Sequence, residues 1–208
     1  MVLNIEALKL YLVTDRALCA ELGVVETVRR AVAGGVTCVQ LRDKQASTAD
    51  LIDLGKAIKA TLAGTGVPLI INDDLEAAHA CGADGVHVGQ SDTSAEEARA
   101  ALGSGKTVGL SCETMAHVRA VDPDVVDYLG LGPVFATATK GDHAAPIGLD
   151  GLREMCAATP LPTVAIGGLK AKHFQPALGA GADGIAVVSA ICGQPDPEAA
   201  ARAILQPS

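Results

Sequence analysis

PLIINDDLEAAHACGADGVHVGQSD, residues 68–92, contains one complete structural repeat of this chain. Residues 68–71 form an uninterrupted apolar run, as a strand covered on both faces requires, and the run stops at Asn72, Asp73 and Asp74. LEAAHACG (75–82) follows with helical spacing; Gly82 closes it, and Asp84-Gly85 turns the chain into the next apolar run, GVHVGQ (85–90). The same helix end, turn and strand return as GADGIAVVS at 181–189. Working outward, matching runs stand at LYLVTD (10–15), CVQLRD (38–43), TVGLSC (107–112), YLGLGPV (128–134), PTVAIGG (162–168) and GIAVVSA (184–190). Helix-spaced stretches such as VVETVRRAVAGG, TADLIDLGKAIKATLAG and AEEARAALG lie between them. Eight strands in 208 residues leave about 26 residues per unit. Strict strand-helix alternation at this period predicts an α/β fold, either a closed parallel barrel or an open doubly wound sheet, and the count of eight selects the TIM (β/α)8 barrel. No Pro- or Ser-rich linker divides the chain, so one barrel domain over 1–208 is expected.

A formal charge of −8 makes the surface repel polyanions except where bases gather, so no nucleic-acid partner is expected. Every apolar run is broken within about ten residues, well short of the ~20 that span a bilayer, so no membrane partner is expected either. The start MVLNIEALKL has no basic-then-apolar cleavage pattern. Six scattered cysteines (19, 38, 81, 112, 156, 192) form no CxxC and no metal-ligand pair, which fits reduced, mostly buried thiols in a cytoplasmic protein.

In such a barrel the strand exits and the loops after them form the active-site face. Strand two leads into Gln40, Arg42 and Lys44, whose spacing by two puts an amide and two cations on one face of an extended segment. They are either ordinary charges meeting solvent or the grip on an anion. Strand three leads into Asn72, Asp73 and Asp74, and strand four into Asp92. Carboxylates at adjacent exits suit Mg²⁺, which takes one or two of them together with substrate phosphate; helix capping is the plainer role for each. Strand five ends in Ser111 and Cys112, the latter without a paired base to make it a nucleophile.

The longest irregular stretch, PVFATATKGDHAAPIG (133–148), offers Thr137, Thr139 and Lys140, with Gly141 to bend, as either a lid over an anion or a solvated loop. Strand seven ends in Gly167 and Gly168 and strand eight in Val188 and Ser189, where barrels hold phosphate with backbone N–H groups. Two phosphate-type anions are implied. Of the five histidines, none paired at metal-ligand spacing, His87 alternates inside a strand and can face the barrel interior, and His143 shares the long loop. The Met and Tyr residues read as core.

Taken together, LYLVTDR, VQLRDK, INDDLEAAHACGADGVHVGQSD, GLSCET, YLGLGPVFATATKGDHAAPIGLDGL, VAIGG and GADGIAVVSAI closely resemble the thiamine-phosphate synthase family, in order and at family spacing from about Leu10 to Ile191. The resemblance implies a TIM barrel that joins 4-amino-2-methyl-5-hydroxymethylpyrimidine diphosphate to 4-methyl-5-(2-phosphoethyl)thiazole, releasing pyrophosphate and forming thiamine phosphate with Mg²⁺. It makes Gln40 a partner of the pyrimidine, and Arg42, Lys44, Asn72, Ser111 and Lys140 the pyrophosphate grip, with Arg42, Lys44, Lys140 and Ser111 as the catalytic set. Asp73 and Asp92 match the metal ligands. Thr137, Thr139, Gly168, Val188 and Ser189 match the thiazole-phosphate pocket. Family members are often small homo-oligomers.

Three positions depart from the family pattern: Asp74 replaces a commonly non-acidic residue, Gly141 a frequent base, and Ser91 a frequent acid. Asp74 is either a helix cap or an extra carboxylate that alters Mg²⁺ dependence. The alternatives to synthase activity are a thiazole tautomerase on the same barrel, which has no need of the diphosphate grip, a non-catalytic regulator that binds thiamine precursors, and a generic phosphate-binding barrel enzyme. The first two are disfavoured by the presence of the grip and metal-ligand residues, and the third leaves the paired carboxylates unexplained.

Overall fold

The computed structural model describes residues 4–91, 93–137 and 145–206. Eight parallel strands, β1 (Leu10–Val13), β2 (Cys38–Leu41), β3 (Leu69–Asn72), β4 (Gly85–Val88), β5 (Thr107–Cys112), β6 (Tyr128–Leu131), β7 (Thr163–Ile166) and β8 (Gly184–Val187), pair in sequence order and close through β8 on β1. Helices α1 (Val24–Ala33), α2 (Thr48–Thr61), α3 (Leu75–Ala80), α4 (Ala95–Leu102), α5 (Met115–Ala120), α6 (Gly148–Ala157), α7 (Phe174–Gly179) and α8 (Pro197–Leu205) alternate with them. The expected barrel is therefore the fold.

Local sequence explains where the helices begin. Ser47 and Ser94 cap α2 and α4, each in a reciprocal capping box with an acid three residues on, Asp50 and Glu97. Asp196 caps α8, with Pro197 in the first turn, where a missing N–H costs nothing. At the C-terminal end of α1, Gly34 lets α8 approach: a Cβ there would lie 2.4 Å from the Glu198 carbonyl oxygen.

Alternation along the strands separates two layers. Leu10 and Leu12 face the helices in one large apolar cluster, while Tyr11 and Val13 turn inward with Cys38, Ile70, Tyr128, Val164 and Ala186. Leu8, from the short 3₁₀ turn Ile5–Leu8, plugs the bottom of that inner cluster.

One hydrogen-bond device recurs at the bottom of the barrel. The residue just before each even-numbered strand accepts, on its side chain, the backbone N–H of the first or second residue of the preceding odd strand. Thr37 takes Leu10 N at 2.9 Å, Asp84 takes Leu69 N at 2.8 Å, Asp127 takes Val108 N at 2.7 Å and Asp183 takes Thr163 N at 2.7 Å. Each of the four also donates its own N–H to a carbonyl of that strand, at 2.8–2.9 Å. The echo between GADGVHVGQ and GADGIAVVS is the sequence trace of this staple. Asp84 is tied further to Lys59 of α2, and Asp127 to Arg99 of α4.

Asp183→Ala should leave the Thr163 N–H without its acceptor and cost about 1–3 kcal/mol. Urea unfolding should show a lowered midpoint at constant m-value, with Asp183→Asn recovering most of the loss. An unchanged midpoint for Asp183→Ala would show that the staple contributes nothing.

Candidate active site

All the expected site residues that are described lie at the C-terminal ends of the strands or just past them. Pairing stops slightly earlier than the sequence implied: β2 ends at Leu41, β7 at Ile166 and β8 at Val187. Arg42, Lys44, Gly168, Val188 and Ser189 therefore sit on exit turns, where diverging neighbours release the backbone. After β7 the cause is local, because Gly167 and Gly168 adopt φ of +96° and +66°.

Arg42 is half-buried and Lys44 exposed. The Arg42 backbone is bracketed by buried Thr14 at the β1 exit, whose hydroxyl accepts Arg42 N–H at 3.0 Å. Asp43, between the two cations, is occupied elsewhere: it pairs with Arg16 at 3.2 Å and accepts the Gln45 N–H at 3.0 Å. Among the described residues, neither Arg42 nor Lys44 has a carboxylate partner. Thr14 went unread in the sequence, where a Thr ending an apolar run carries no signal of its own.

At the β3 exit the two acids have different roles. Asp74 is the N-cap of α3, accepting Ala77 N at 2.7 Å on one oxygen and the Thr48 hydroxyl at 2.8 Å on the other. The departure at this position is thus a helix cap tied to α2. Asp73 has φ +63°, a left-handed conformation that costs a non-glycine residue about 1–2 kcal/mol and is found where surroundings impose it. Its carboxylate accepts the Asn72 side-chain amide, and its N–H donates to the His87 carbonyl at 3.0 Å. Capping is therefore not the role of Asp73. The cap of α4 is Ser94. Asp92, Thr139, Lys140, Gly141 and His143 lie outside the described residues.

The barrel interior holds a continuous polar chain that the sequence reading missed. Gln40 Nε2 donates to the Tyr11 hydroxyl at 3.0 Å, and Tyr11 and Tyr128 share a hydrogen bond of 2.8 Å. Tyr128 meets His87 Nδ1 at 2.9 Å, and His87 Nε2 meets Ser111 Oγ at 2.9 Å. Gln40 and His87 are 4% and 8% exposed, and both ring nitrogens of His87 are bonded inside the protein. Burial above all pushes the Tyr11 and Tyr128 phenols well above their ordinary range, so both stay protonated.

Two mid-strand glycines make room for this chain: a Cβ on Gly109 would fall 2.2 Å from the Tyr128 ring, and one on Gly130 would lie 3.2 Å from His87. The available clue was TVGLS and YLGLG, glycines inside apolar strands, in a chain with only two tyrosines. The tyrosines are core, as expected, but they are core that links Gln40 on β2 to Ser111 on β5. Ser111 is held from outside too, its carbonyl accepting Gln90 Nε2 at 2.7 Å.

Cys112, next in line, is fully buried, and burial pushes its thiol up to about 12, far from a usable nucleophile. All six cysteines are free, five of them buried.

On the far side of the mouth, the segment after β6 is laced to the β7 exit. Val134 N donates to Ile166 O at 2.8 Å and Phe135 N to Gly167 O at 3.0 Å. Gly168 fits only without a side chain, since its Cβ would meet Ala136 O at 2.6 Å. Half-buried Thr137 thus leaves this segment one residue beyond the contact with the Gly167-Gly168 turn. The Ser189 hydroxyl is met by Lys170 Nζ at 3.0 Å, a contact that the sequence reading also missed although Lys170 follows the glycine pair by two.

Compared with known proteins, residues 10–191 match a family model described as thiamine monophosphate synthase. The chain is 51% identical over 203 residues to the thiamine-phosphate synthase of Psychrobacter sp. (strain PRwf-1), covering 96% of this chain and 95% of that one. To the thiamine-phosphate synthase of Azorhizobium caulinodans it is 49% identical over 197 residues, 95% and 93% of the two chains. The structure of thiamine phosphate pyrophosphorylase from Pyrococcus furiosus superposes with a TM-score of 0.88 at 34% identity, over 97% of this chain and 95% of that one. A 3-hexulose-6-phosphate synthase, at 21% identity and a TM-score of 0.68 over 94% and 97% of the chains, shares the fold alone.

Tyr128→Phe removes the hydroxyl that both Tyr11 and His87 bond, and should destabilise the barrel by about 1–3 kcal/mol. Gly109→Ala forces the Tyr128 ring aside, an overpacking cost of about 1–3 kcal/mol or more. Denaturant midpoints measure both, and wild-type stability in either variant would contradict the geometry.

Proposed function

Since this chain belongs to the thiamine monophosphate synthase family, whose activity is that of a transferase, we propose that it joins the pyrimidine diphosphate to the thiazole phosphate across the two halves of the barrel mouth just described. The observation that carries this reading is the pair of cations at the exit of β2, Arg42 and Lys44, which have no carboxylate partner among the described residues. Neighbouring like charges repel, and an anion held between them relieves that cost. Asn72, Ser111 and Lys140 complete the grip on pyrophosphate, and Gln40 meets the pyrimidine. Gly168, Val188 and Ser189, with Thr137 and Thr139, hold the thiazole phosphate opposite.

The bond to be broken joins a benzylic-type carbon to a diphosphate, so no protein nucleophile is needed. If it ionises first, the electron-rich aminopyrimidine carries the positive charge, and the protein's task is to neutralise the departing pyrophosphate with preorganised donors. The thiazole nitrogen, held close through its phosphate, then captures the carbon before water does.

The interior chain supports a definite role for Ser111. With both phenols protonated, the Gln40 amide donates to Tyr11, Tyr11 to Tyr128, and Tyr128 to His87 Nδ1. The Nε2–H is left for Ser111 Oγ, and the serine proton is free to point into the mouth. Ser111 is thereby a donor toward the reacting diphosphate or pyrimidine.

The oxygen donors at the β3 exit fit the Mg²⁺ that the family implies, because this ion takes few carboxylates and leaves places for phosphate oxygens. Asp73 and Asp92 would hold the ion, and its chemistry when bound is to offset charge on the pyrophosphate. Asp74, with both oxygens engaged, is outside the set. No helix among the described residues is long and apolar enough to cross a membrane; on this reading the substrates are small molecules and the setting is the cytoplasm.

The test is to incubate the protein with both substrates, with and without Mg²⁺, and to follow thiamine phosphate by thiochrome fluorescence. Metal-dependent product is expected; binding of both substrates with no product would overturn the reading. Arg42→Ala or Lys140→Ala should lower kcat by about 10² or more; a change confined to KM would reduce that residue to a binding role. Asp73→Ala should shift the Mg²⁺ titration to higher concentration, and an unmoved titration would remove it as a ligand.

A further inference from the structure

We propose that Lys170 is a specificity-determining residue that selects a phosphorylated acceptor over the corresponding alcohol by binding its phosphate monoester directly. The proposal rests on the reading of Gly168, Val188 and Ser189 as the acceptor-phosphate pocket, and adds to it the one ammonium group placed on that pocket by the described residues.

The lysine is held in place from several directions. Its Nζ lies 3.0 Å from Ser189 Oγ, at the β8 exit. The serine backbone is fixed in turn, its carbonyl accepting Gln194 Nε2 at 2.9 Å. Behind the lysine, its own N–H donates to His173 Nδ1 at 3.1 Å, and the His173 ring lies against Phe135 with centroids 4.4 Å apart. The Lys170 backbone is therefore anchored, through His173, to the segment that leads to Thr137, while its side chain reaches across to β8.

The local charge is unbalanced. Among the described residues neither Lys170 nor Lys172 has a carboxylate partner, although the chain carries eight more acids than Lys and Arg together. His173 senses the excess: burial first, then Lys172 and Lys170, hold its imidazole below the usual range, so Nδ1 stays available as an acceptor. A lysine that rests on a serine hydroxyl, with no carboxylate paired to it among the described residues, has a site for an anion in front of it. A phosphate monoester offers up to two negative charges and three acceptor oxygens. Backbone N–H groups and hydroxyls alone would bind it through neutral donors, whereas an ammonium forms a charge-assisted hydrogen bond of roughly twice the strength.

The experiment is steady-state kinetics on Lys170→Gln, Lys170→Arg, Lys172→Gln and Ser189→Ala, with the thiazole phosphate, the unphosphorylated thiazole alcohol and the pyrimidine diphosphate each varied. Lys170→Gln should raise KM for the thiazole phosphate about tenfold, the size of one charge-assisted contact at an exposed site, and move KM for the pyrimidine diphosphate less than twofold. It should also weaken competitive inhibition by inorganic phosphate and leave kcat/KM for the alcohol within twofold. Lys170→Arg should restore most of the loss. If Ser189→Ala raises the acceptor KM and Lys170→Gln does not, the lysine is no ligand although the pocket stands. If neither variant moves it, the pocket reading fails and the proposal falls with it. Equal effects from Lys172→Gln, or equal changes in both substrates' KM values, would overturn it by showing a diffuse field or a general loss of structure.

Discussion

A closed parallel barrel must satisfy the first N–H of every strand at the end where its chain has just arrived from a helix. Water can do this at an open edge, but the ring has no edge, and the incoming loops crowd its floor. Here the problem is met in pairs. Thr37, Asp84, Asp127 and Asp183 each close a two-bond ring with the odd strand beside them. Because the staple fixes both an N–H and a carbonyl, it sets the pairing between each odd strand and the even strand that follows. A shift of one residue in a strand would exchange its inward and outward faces. Everything at the opposite end depends on that register, since the inward positions three residues beyond Thr37, Leu69, Asp84 and Val108 are Gln40, Asn72, His87 and Ser111.

The interior then presents a second constraint. A narrow eight-stranded barrel is usually filled by aliphatic side chains in layers. This one places two tyrosines, a histidine and a glutamine there, linked in series by hydrogen bonds. Buried polar groups are costly unless fully paired, and fully paired they rigidify. The chain Gln40–Tyr11–Tyr128–His87–Ser111 is therefore both a core layer and a means of orienting the two mouth residues at its ends. Preorganisation of this kind suits a reaction in which the protein supplies no covalent partner and must have its donors aimed before charge develops.

Much of this was legible in the sequence. The eight apolar runs lie on the eight strands, and the polar residues just after them lie on one face, because burial on both sides imposes an unbroken apolar pattern that stops where the strand does. Candidate site residues were legible where side chains carry charge: Arg42, Lys44 and Asp73 stand out in any strand exit. The residues that escaped have contacts set by distant chain segments. Tyr11 and Tyr128 are 117 residues apart, and nothing local distinguishes a phenol bonded across the barrel from one merely packed there. Lys170 reads as a surface base until β8 brings Ser189 beneath it. Asp73 and Asp74 are adjacent acids with opposite roles, separated only by a backbone dihedral that sequence does not display.

The closeness of Gly109 to the Tyr128 ring also constrains how this barrel can change over generations. Glycine at 109 is tolerable only while position 128 carries a large ring to fill the gap, and the ring is tolerable only while 109 stays bare. A lineage exchanging this layer for another must shrink 128 before it enlarges 109, and in the intermediate it carries both a void and a broken link between Tyr11 and His87. The two sites are locked by epistasis, so the order of substitutions is dictated by sterics. Drift toward a barrel of different internal chemistry has to pass through a less stable ancestor.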